Sequence, residues 1–501
     1  MKKRDILLNI LIEGKAGQGP NAVARVVGKM LVQHGYSVFV SRHYGSFVRG
    51  GYNCNVITLS DSPIMSNESQ IDILVTLDGN LKRTYNFQLK KGAIKLKNNR
   101  EGNMFFAGNI AKILGIELKI LEEFLKEFSN FETNLKDAKN GYNKEKTKIP
   151  LKKLSNKVEL IDGTHAFSIG AINSGLDIYF FYPMTPATSL ANYLADKQKE
   201  KNIFIFELEN EIAVMNAALG SAITGAKSMI GTSGGGFDLM SEALSLAGMA
   251  EIPIVIYLAQ RPGPSTGIPT YTSQGDLDMV RYTGHGEFQR AIFAAGDSAE
   301  CQELASWAFY FSQKFKIPCF VLTDKHLAES LYSINKVPKI IKSKKSTSLK
   351  RYNSYEHGAD GEVSEVAKVI NKSVERRLKK QKEIEKEIGK FESFKIYGNK
   401  NSKNLVLFWG STKGAVLDSI KNIDAKAMQF IILEPFSNKI KAELEKAKNI
   451  VIVENNSTSQ LSKLIAEKTG IFINVKNKIL RYDGKPFLSD ELSKEIKRRL
   501  K

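Results

Sequence analysis

Four short stretches carry residues whose types and spacing suit chemistry on a small anionic molecule. Glu207, Glu209 and Glu211 place carboxylates at the entry to an alanine-rich run with helical patterning. A carboxylate there can hold or move a proton, and it can equally be ordinary charge beside the positive end of a helix. Thr232-Ser233-Gly234-Gly235-Gly236-Phe237 joins hydroxyls to glycines, so its backbone N–H groups can cradle a ligand. In the stretch from Gln260 to Thr270, prolines and glycines frame Arg261, and a guanidinium grips a carboxylate bidentately. Tyr182-Pro183-Met184-Thr185-Pro186-Ala187-Thr188 is a proline-stiffened loop that offers the hydroxyls of Thr185 and Thr188.

Two further glycine clusters lie near the start of the chain. Gly14-Lys15-Ala16-Gly17-Gln18-Gly19 follows an apolar run and precedes a helical pattern, which suits a phosphate or another anion. It is neither G-x-G-x-x-G nor a Walker loop, because no Lys-Ser/Thr follows Gly19. Tyr44 to Gly51 sets Arg49 beside a glycine pair. Taken alone, the first loop is as much a tight turn as an anion site.

These loops need strands to hold them, and in open α/β sheets ligands bind beyond the carboxyl ends of the strands. Strand-like runs at Ile178–Tyr182, Ile203–Glu207, Ser228–Thr232, Ile254–Leu258 and Cys319–Leu322 alternate with helical stretches such as Glu211–Gly225 and Phe237–Ala250. The same alternation occurs at Ile6–Glu13, Asn21–Gly35, Ser37–Val40, Asn53–Leu59 and Ile71–Leu77, and again at Leu405–Phe408, Gln429–Leu433 and Asn449–Val453. The pattern predicts α/β architecture with three doubly wound, parallel-sheet domains. Their expected bounds are 1–133, 158–334 and 401–501. A Lys/Asn-rich linker covers 134–157, and 335–400 holds a second linker and an exposed, charged helix at Val374–Ile388.

Composition narrows the function. With 73 Lys+Arg against 53 Asp+Glu in 501 residues, the formal charge is +20. The excess is lysine dispersed along the chain, so it reads as a solvated surface and not as a nucleic-acid patch. Only 3 cysteines are present, Cys54, Cys301 and Cys319, with no C-x-x-C. That excludes a disulfide scaffold, and also an iron–sulfur cluster held by this chain alone. A reducing cytoplasm is the expected compartment. The Met-Lys-Lys-Arg start before Ile6–Ile12 imitates a leader, but Asn9 and Glu13 favour a buried strand. No run approaches the ~18 apolar residues of a membrane span.

The order Y-P-M-T-P-A-T, E-x-E, T-S-G-G-G-F, Q-R-P-G-P-S-T-G-I-P-T, Q-G-D-L and G-H-G-E-F resembles the α subunit of 2-oxoacid:ferredoxin oxidoreductases. The first region, with G-x-x-G-Q-G and Y-G-x-x-x-R-G-G, is similar to their γ subunit. The third, with W-G-S-T-K-G, E-P-F, E-N-N and Y-D-G-K-P-F, resembles the transketolase-like C-terminal domain of the α subunit. The chain therefore resembles a fused γ–α subunit.

The resemblance implies a thiamine diphosphate site shared with a β subunit. This chain faces the pyrimidine, and Mg²⁺ and the iron–sulfur clusters belong to the partner. A 2-oxoacid, 2-oxoglutarate or a general 2-oxoacid, is oxidatively decarboxylated, ferredoxin takes the electrons and coenzyme A takes the acyl group. Pyruvate, branched or aryl acids, or an inactive assembly subunit, are the alternatives. An αβ or (αβ)₂ hetero-oligomer is implied, with no nucleic acid and no membrane.

Residue by residue, the resemblance gives Glu211 the aminopyrimidine, with Glu209 two positions away, and gives Thr185 and Arg261 the keto and carboxylate groups. Tyr182, Pro183, Thr188, Thr232, Ser233 and Gly234 line the cofactor, and Gly17, Gln18, Gly19 and Arg49 are candidates for coenzyme A. Departures are Tyr271 where an arginine is usual, Pro262 for a small residue, Ser459 for a glycine, and Gly163-Thr164-His165-Ala166 for G-N-E-A.

Overall fold

The buried apolar residues of Leu7–Lys15 suit its place as an interior strand of a first sheet. The computed structural model describes residues 6–45, 51–78, 87–97, 101–335, 338–346 and 352–500. They divide into two compact units. The first takes the described residues up to Asp162 together with 329–335 and 487–494, and the second takes the remainder.

In the first unit the strands lie in the order Gln88–Lys97, Gln70–Thr76, Leu7–Lys15, Tyr52–Ser60, Ser37–Tyr44, Leu331–Ile334 and Glu159–Asp162. The α/β class is as expected, with helix Pro20–Gln33 packed on the sheet. Strand direction differs from the expected parallel arrangement. Leu7–Lys15 runs parallel to Gln70–Thr76, which runs parallel to Gln88–Lys97, and every other pairing is antiparallel. The connection between Tyr44 and Tyr52 is too short for the crossover that parallel neighbours need. Two strands also come from ranges assigned by sequence to the second domain, Glu159–Asp162 and Leu331–Ile334.

Residues 134–144, expected as linker, are helical and belong to Phe131–Lys144. The run is poor in large apolar residues because, beside buried Leu135, its closest contact is made by small ones. Ala138 and Gly141 are buried, and a Cβ at Gly141 meets the Phe105 carbonyl oxygen while one at Gly108 meets that of Ala138. Helices Met104–Ile113 and Phe131–Lys144 therefore approach at backbone distance.

The second unit contains two sheets. The first has the order Ile432–Glu434, Ala291–Ala294, Pro318–Asp324, Ile254–Gln260, Ser228–Thr232, Ile178–Phe181 and Phe204–Glu207, parallel except at Ile432–Glu434. Ile254–Gln260 and Pro318–Asp324 are buried throughout, which explains why both are apolar up to their polar carboxyl ends. The other sheet has the order Phe394–Gly398, Lys426–Phe430, Asn404–Trp409, Asn449–Glu454 and Lys478–Leu480. Its first strand is antiparallel to the rest.

The two sheets are joined by backbone and by buried charge. Ile432–Glu434 leaves the C-terminal region to pair with Ala291–Ala294. Buried Lys413 reaches Asp297 at 2.5 Å and Glu300 at 2.6 Å, and Gln429 Nε2 donates to Glu300 at 2.6 Å. The run expected as one helix at Phe237–Ala250 is two, Gly234–Asp238 and Ser241–Met249. The charged helix is longer than expected, Ala367–Ile388, and is not simply exposed. Ile384 and Ile388 are buried, Arg377 grips Glu356 at 3.0 and 2.6 Å, and Lys380 and Arg376 pair with Glu251.

The close helix pair gives a stability test. Gly141→Ala is expected to cost roughly 1–3 kcal/mol through overpacking, lowering the midpoint of the first unit's urea transition. Asn140→Ala, on the exposed side of the same helix, should leave it nearly unchanged.

Candidate functional site

The strands Ile254–Gln260, Ser228–Thr232, Ile178–Phe181 and Phe204–Glu207 are consecutive neighbours and run parallel, so the loops leaving their carboxyl ends lie side by side. These are the loops that carry Arg261, Ser233, Thr185 and Glu211. Topology alone collects residues far apart in sequence.

Glu211 opens helix Glu211–Ile223 and is 4% exposed, whereas Glu209 is exposed to solvent. The helix start is fixed by Asn210, whose side chain accepts from the Ala213 N–H at 2.9 Å. Gly236 clears the space around the carboxylate. A Cβ there would lie 2.6 Å from Glu211 Oε1 and would also meet Thr232 Oγ1. Among the described residues no hydrogen bond reaches the Glu211 carboxylate. Ser233 is fully buried with its hydroxyl unpartnered, and its carbonyl accepts from Phe237 N–H at 2.9 Å. The Tyr179 hydroxyl is also buried without a hydrogen bond, under Gly231, and burial raises its pKa. Two buried hydroxyls, those of Ser233 and Tyr179, thus remain unsatisfied at the end of the sheet that carries Glu211, where buried polar groups normally find partners.

Arg261 and Thr185 meet, but through the backbone: Arg261 Nη1 donates to the Thr185 carbonyl at 2.7 Å. Arg261 Nε is buried without a partner. Burial lowers the guanidinium's pKa, against the charges of Asp276 and Glu211, which raise it. Thr188 begins helix Thr188–Lys201 and its N–H donates to Met184 at 3.1 Å, so it fixes the loop's exit. Tyr182 and Pro183 point to solvent, and exposed Phe206, Ile212, Leu239 and Ile268 occur on these same strand-end segments.

Asp276 lies in the Q-G-D-L stretch, to which the sequence reading assigns no role. A Cβ at Gly234 would lie 2.7 Å from its Oδ2, an atom that is buried and unpartnered. Burial and the charge of Asp238 push its pKa up to about 7, with Arg261 opposing. Its sequence signal is that Q-G-D-L stretch, an aspartate after a glycine just ahead of the short helix Leu277–Tyr282.

The segment from Thr270 to Asp276 is gripped by the C-terminal sheet. Gln274 Nε2 donates to the Trp409 carbonyl at 2.7 Å, and Gln274 exchanges backbone and side-chain bonds with Asn455 at 2.8 Å each. Asn456 Nδ2 donates to the Gln274 carbonyl at 3.1 Å. Behind these asparagines, fully buried Glu454 accepts from Trp409 Nε1, Asn456 Nδ2, Ser459 Oγ and the N–H groups of Leu461 and Ser462. Ser459 has a φ of 55°, a left-handed conformation that accounts for glycine being usual there. Tyr271 packs over Gly484, where a Cβ would come within 2.9 Å of the ring.

In the first unit the glycine loop is a closed turn. Gln18 Oε1 accepts from Lys15 N–H at 2.7 Å, and Gln18 Nε2 donates to Asp78 at 3.3 Å, which also pairs with Lys15 at 2.8 Å. Gly17 and Gly19 take φ values of 96° and 80°. Asn103 fills the space beside Gly19 and donates to the Gln18 carbonyl. Arg49 lies outside the described residues.

Comparison with known proteins places this geometry. Residues 169–391 match the family model for the pyruvate flavodoxin/ferredoxin oxidoreductase thiamine diphosphate-binding domain, and residues 9–101 match pyruvate ferredoxin/flavodoxin oxidoreductase. The fold is that of the 2-oxoglutarate:ferredoxin oxidoreductase of Magnetococcus marinus, solved with 2-oxoglutarate, coenzyme A and succinyl-CoA bound. The TM-score is 0.86 at 22% identity over 100% of both chains. The class is therefore an α/β oxidoreductase subunit containing a thiamine diphosphate-binding type of domain. The chain is also 30% identical to the 2-oxoacid:ferredoxin oxidoreductase subunit alpha of Sulfolobus sp, spanning 98% of this chain and 96% of the relative. Against the 2-oxoglutarate synthase subunit KorA of Archaeoglobus fulgidus it is 38% identical over 35% of this chain and 51% of that one. The chain belongs to the 2-oxoacid:ferredoxin oxidoreductase family, in which it matches the α subunits along their length.

Among the described residues no helix is long and apolar enough to cross a membrane. The three cysteines are buried and form no disulfide with one another.

The grip on the site loop can be measured. Glu454→Ala strands several buried donors, each worth about 1–3 kcal/mol when unsatisfied, so a loss on the order of 3–4 kcal/mol is expected by chemical denaturation. Glu454→Gln, which keeps acceptor capacity, should lose less.

Proposed function

We propose that this chain supplies the pyrimidine-facing half of a thiamine diphosphate site in a coenzyme A-acylating 2-oxoacid:ferredoxin oxidoreductase, and that it also supplies the grip on the acid. The observation that carries this reading is the buried Glu211 carboxylate, free of hydrogen bonds among the described residues, in a space kept open by Gly236. The residues present fit the group. An acidic oxygen, the unpartnered Ser233 hydroxyl and a glycine-cleared wall match the edge of a flat aminopyrimidine ring. Glu211 would meet the ring nitrogen, with Thr232, Ser233 and Gly234 along the wall and Tyr182, Pro183 and Thr188 on the neighbouring loop. Exposed Glu209 is not placed to share that role.

When bound, thiamine diphosphate supplies the electron sink that a 2-oxoacid needs to lose CO₂. The part of this chain is to hold charge and protons beside it. Glu211, buried at the helix start, would share a proton with the ring edge and help to keep water from it. Arg261 is anchored by the Thr185 carbonyl with Nε left over, so it offers N–H donors to an incoming carboxylate. Thr185 is held at the same place and offers its hydroxyl to the keto oxygen.

The substrate is 2-oxoglutarate or a general 2-oxoacid. A β subunit completes the enzyme, carrying Mg²⁺ for the diphosphate and the iron–sulfur clusters that pass electrons to ferredoxin, in an αβ or (αβ)₂ assembly in the cytoplasm. The separation of the three cysteines and the apolar residues around the strand ends support that division. The γ-like unit takes part in coenzyme A binding, with Gly17, Gln18, Gly19 and Arg49 as the residues to test.

Two substitutions in the assembled complex test the roles. Glu211→Gln is expected to lose on the order of 10²–10⁴ in turnover, as for loss of a proton-transfer group, and unchanged turnover removes the assignment. Arg261→Lys should chiefly raise the KM for the acid, because the planar fork is lost. An unaltered KM and kcat contradict the carboxylate grip.

A further inference from the structure

The Asp276 side chain is not accounted for by the cofactor reading, yet it is built into the same end of the sheet. Its backbone N–H donates to Gln260 Oε1 at 3.0 Å, and Gln260 Nε2 donates in turn to the Thr323 carbonyl at 3.0 Å. Its carbonyl accepts from Val280 N–H at 3.0 Å. The residue is therefore pinned from a central strand and from the helix it precedes. Its carboxyl lies against the Gly234 Cα, where any larger residue at 234 would collide with both oxygens. It also lines an open cleft of about 390 Å³ with Pro262, Gly263, Thr272, Asn456 and Tyr482.

The charged groups acting on it are few. Asp238, from helix Gly234–Asp238, repels it, and Arg261 attracts it, itself also facing Glu211. Among the described residues, Asp276 and Arg261 form no ion pair, and each keeps one buried polar atom without a partner, Oδ2 and Nε respectively. A cation and an acid with spare hydrogen-bonding capacity thus sit near one another without neutralising each other.

We propose that Asp276 is the second half of the acid site: it takes up a proton when Arg261 receives the substrate carboxylate, and so ties 2-oxoacid binding to pH. This rests on the reading of Arg261 given above. An arriving carboxylate puts a second negative charge beside Asp276, and two carboxylates sharing one desolvated site do not both stay ionised. Once protonated, Asp276 becomes a hydrogen-bond donor and can bond to the anion that it repels when ionised.

The direction follows from linkage. In the free chain Asp276 titrates at about 7, and a bound anion moves that value higher. Below pH 7 the group already carries its proton, so acid affinity does not change with pH. Above pH 7 binding must take up a proton, so affinity falls by up to about tenfold per pH unit. The acids themselves are ionised throughout this range and add no slope.

The test is the KM for the 2-oxoacid that the assembled complex turns over, measured from pH 6 to pH 9 for the parent, Asp276→Asn and Arg261→Lys. In the parent, KM should be flat to about pH 7 and then climb. Asp276→Asn, neutral and of the same shape, should give a KM flat across the range and lower than the parent's at pH 9. Arg261→Lys should raise KM at every pH. If Asp276→Asn keeps the parent's slope, or the parent has none, while Arg261→Lys still raises KM, the proton-uptake role is wrong and the carboxylate grip stands. If Arg261→Lys leaves KM unchanged, the grip itself fails. Calorimetric titration of each complex with oxamate, in two buffers of different ionisation enthalpy at pH 8, reads the same proton without turnover. Close to one proton is expected for the parent and close to none for Asp276→Asn, and equal uptake by both contradicts the proposal.

Discussion

The site depends on one close approach, the Gly236 backbone against the Glu211 carboxylate. A buried carboxylate without a hydrogen bond gives up hydration, and here the charge of Arg261 offsets part of that loss. Such a group persists where surrounding structure over-determines its position. Here the Asn210 cap fixes the helix start, and the loop from Thr232 to Gly236 supplies a wall without side chains. Everything else at this end of the sheet is arranged around the resulting open space. Arg261 is tied to the Thr185 carbonyl on one side, and Asp276 lies against Gly234 on the other.

The second constraint comes from far along the chain. The loop that carries Asp276 is held by Asn455, Asn456 and Trp409, and these are held by buried Glu454. The C-terminal sheet therefore acts as a brace for the strand-end loops. Its link to the neighbouring sheet is strengthened by Lys413, Glu300 and Gln429, a buried group that satisfies its charges internally. Truncating one member of such a network is expected to cost more than the intact pair contributes, because a charge is then left buried and alone.

Much of this was legible before any coordinates. Strand ends, glycine loops and the lone arginine follow from short-range patterns, and four of the loops fall on adjacent strands as the α/β reading requires. Glu211 and Glu209 could not be separated by composition, and it is burial that distinguishes them. What was not legible depended on distance in sequence or on small residues. The placement of the Asp276 carboxyl depends on Gly234 being bare. The helix at Phe131–Lys144 is masked by lysines and asparagines, since Leu135 is its one large buried residue and its closest packing uses Ala138 and Gly141. The antiparallel pairings of the first sheet were missed because alternation of elements predicts class better than strand direction. Two of its strands come from segments that sequence order assigns elsewhere.

The central claim is a division of labour, in which this chain holds the acid and one edge of the cofactor and a partner holds the metals. The most direct measurement compares viologen reduction, driven by a 2-oxoacid with coenzyme A and thiamine diphosphate, by the purified chain alone and by the chain co-purified with its β subunit. The account predicts no reduction by the chain alone, and reduction together with bound iron in the co-purified complex. Turnover by the isolated chain, or a fully loaded complex that reduces nothing with any 2-oxoacid, would contradict it.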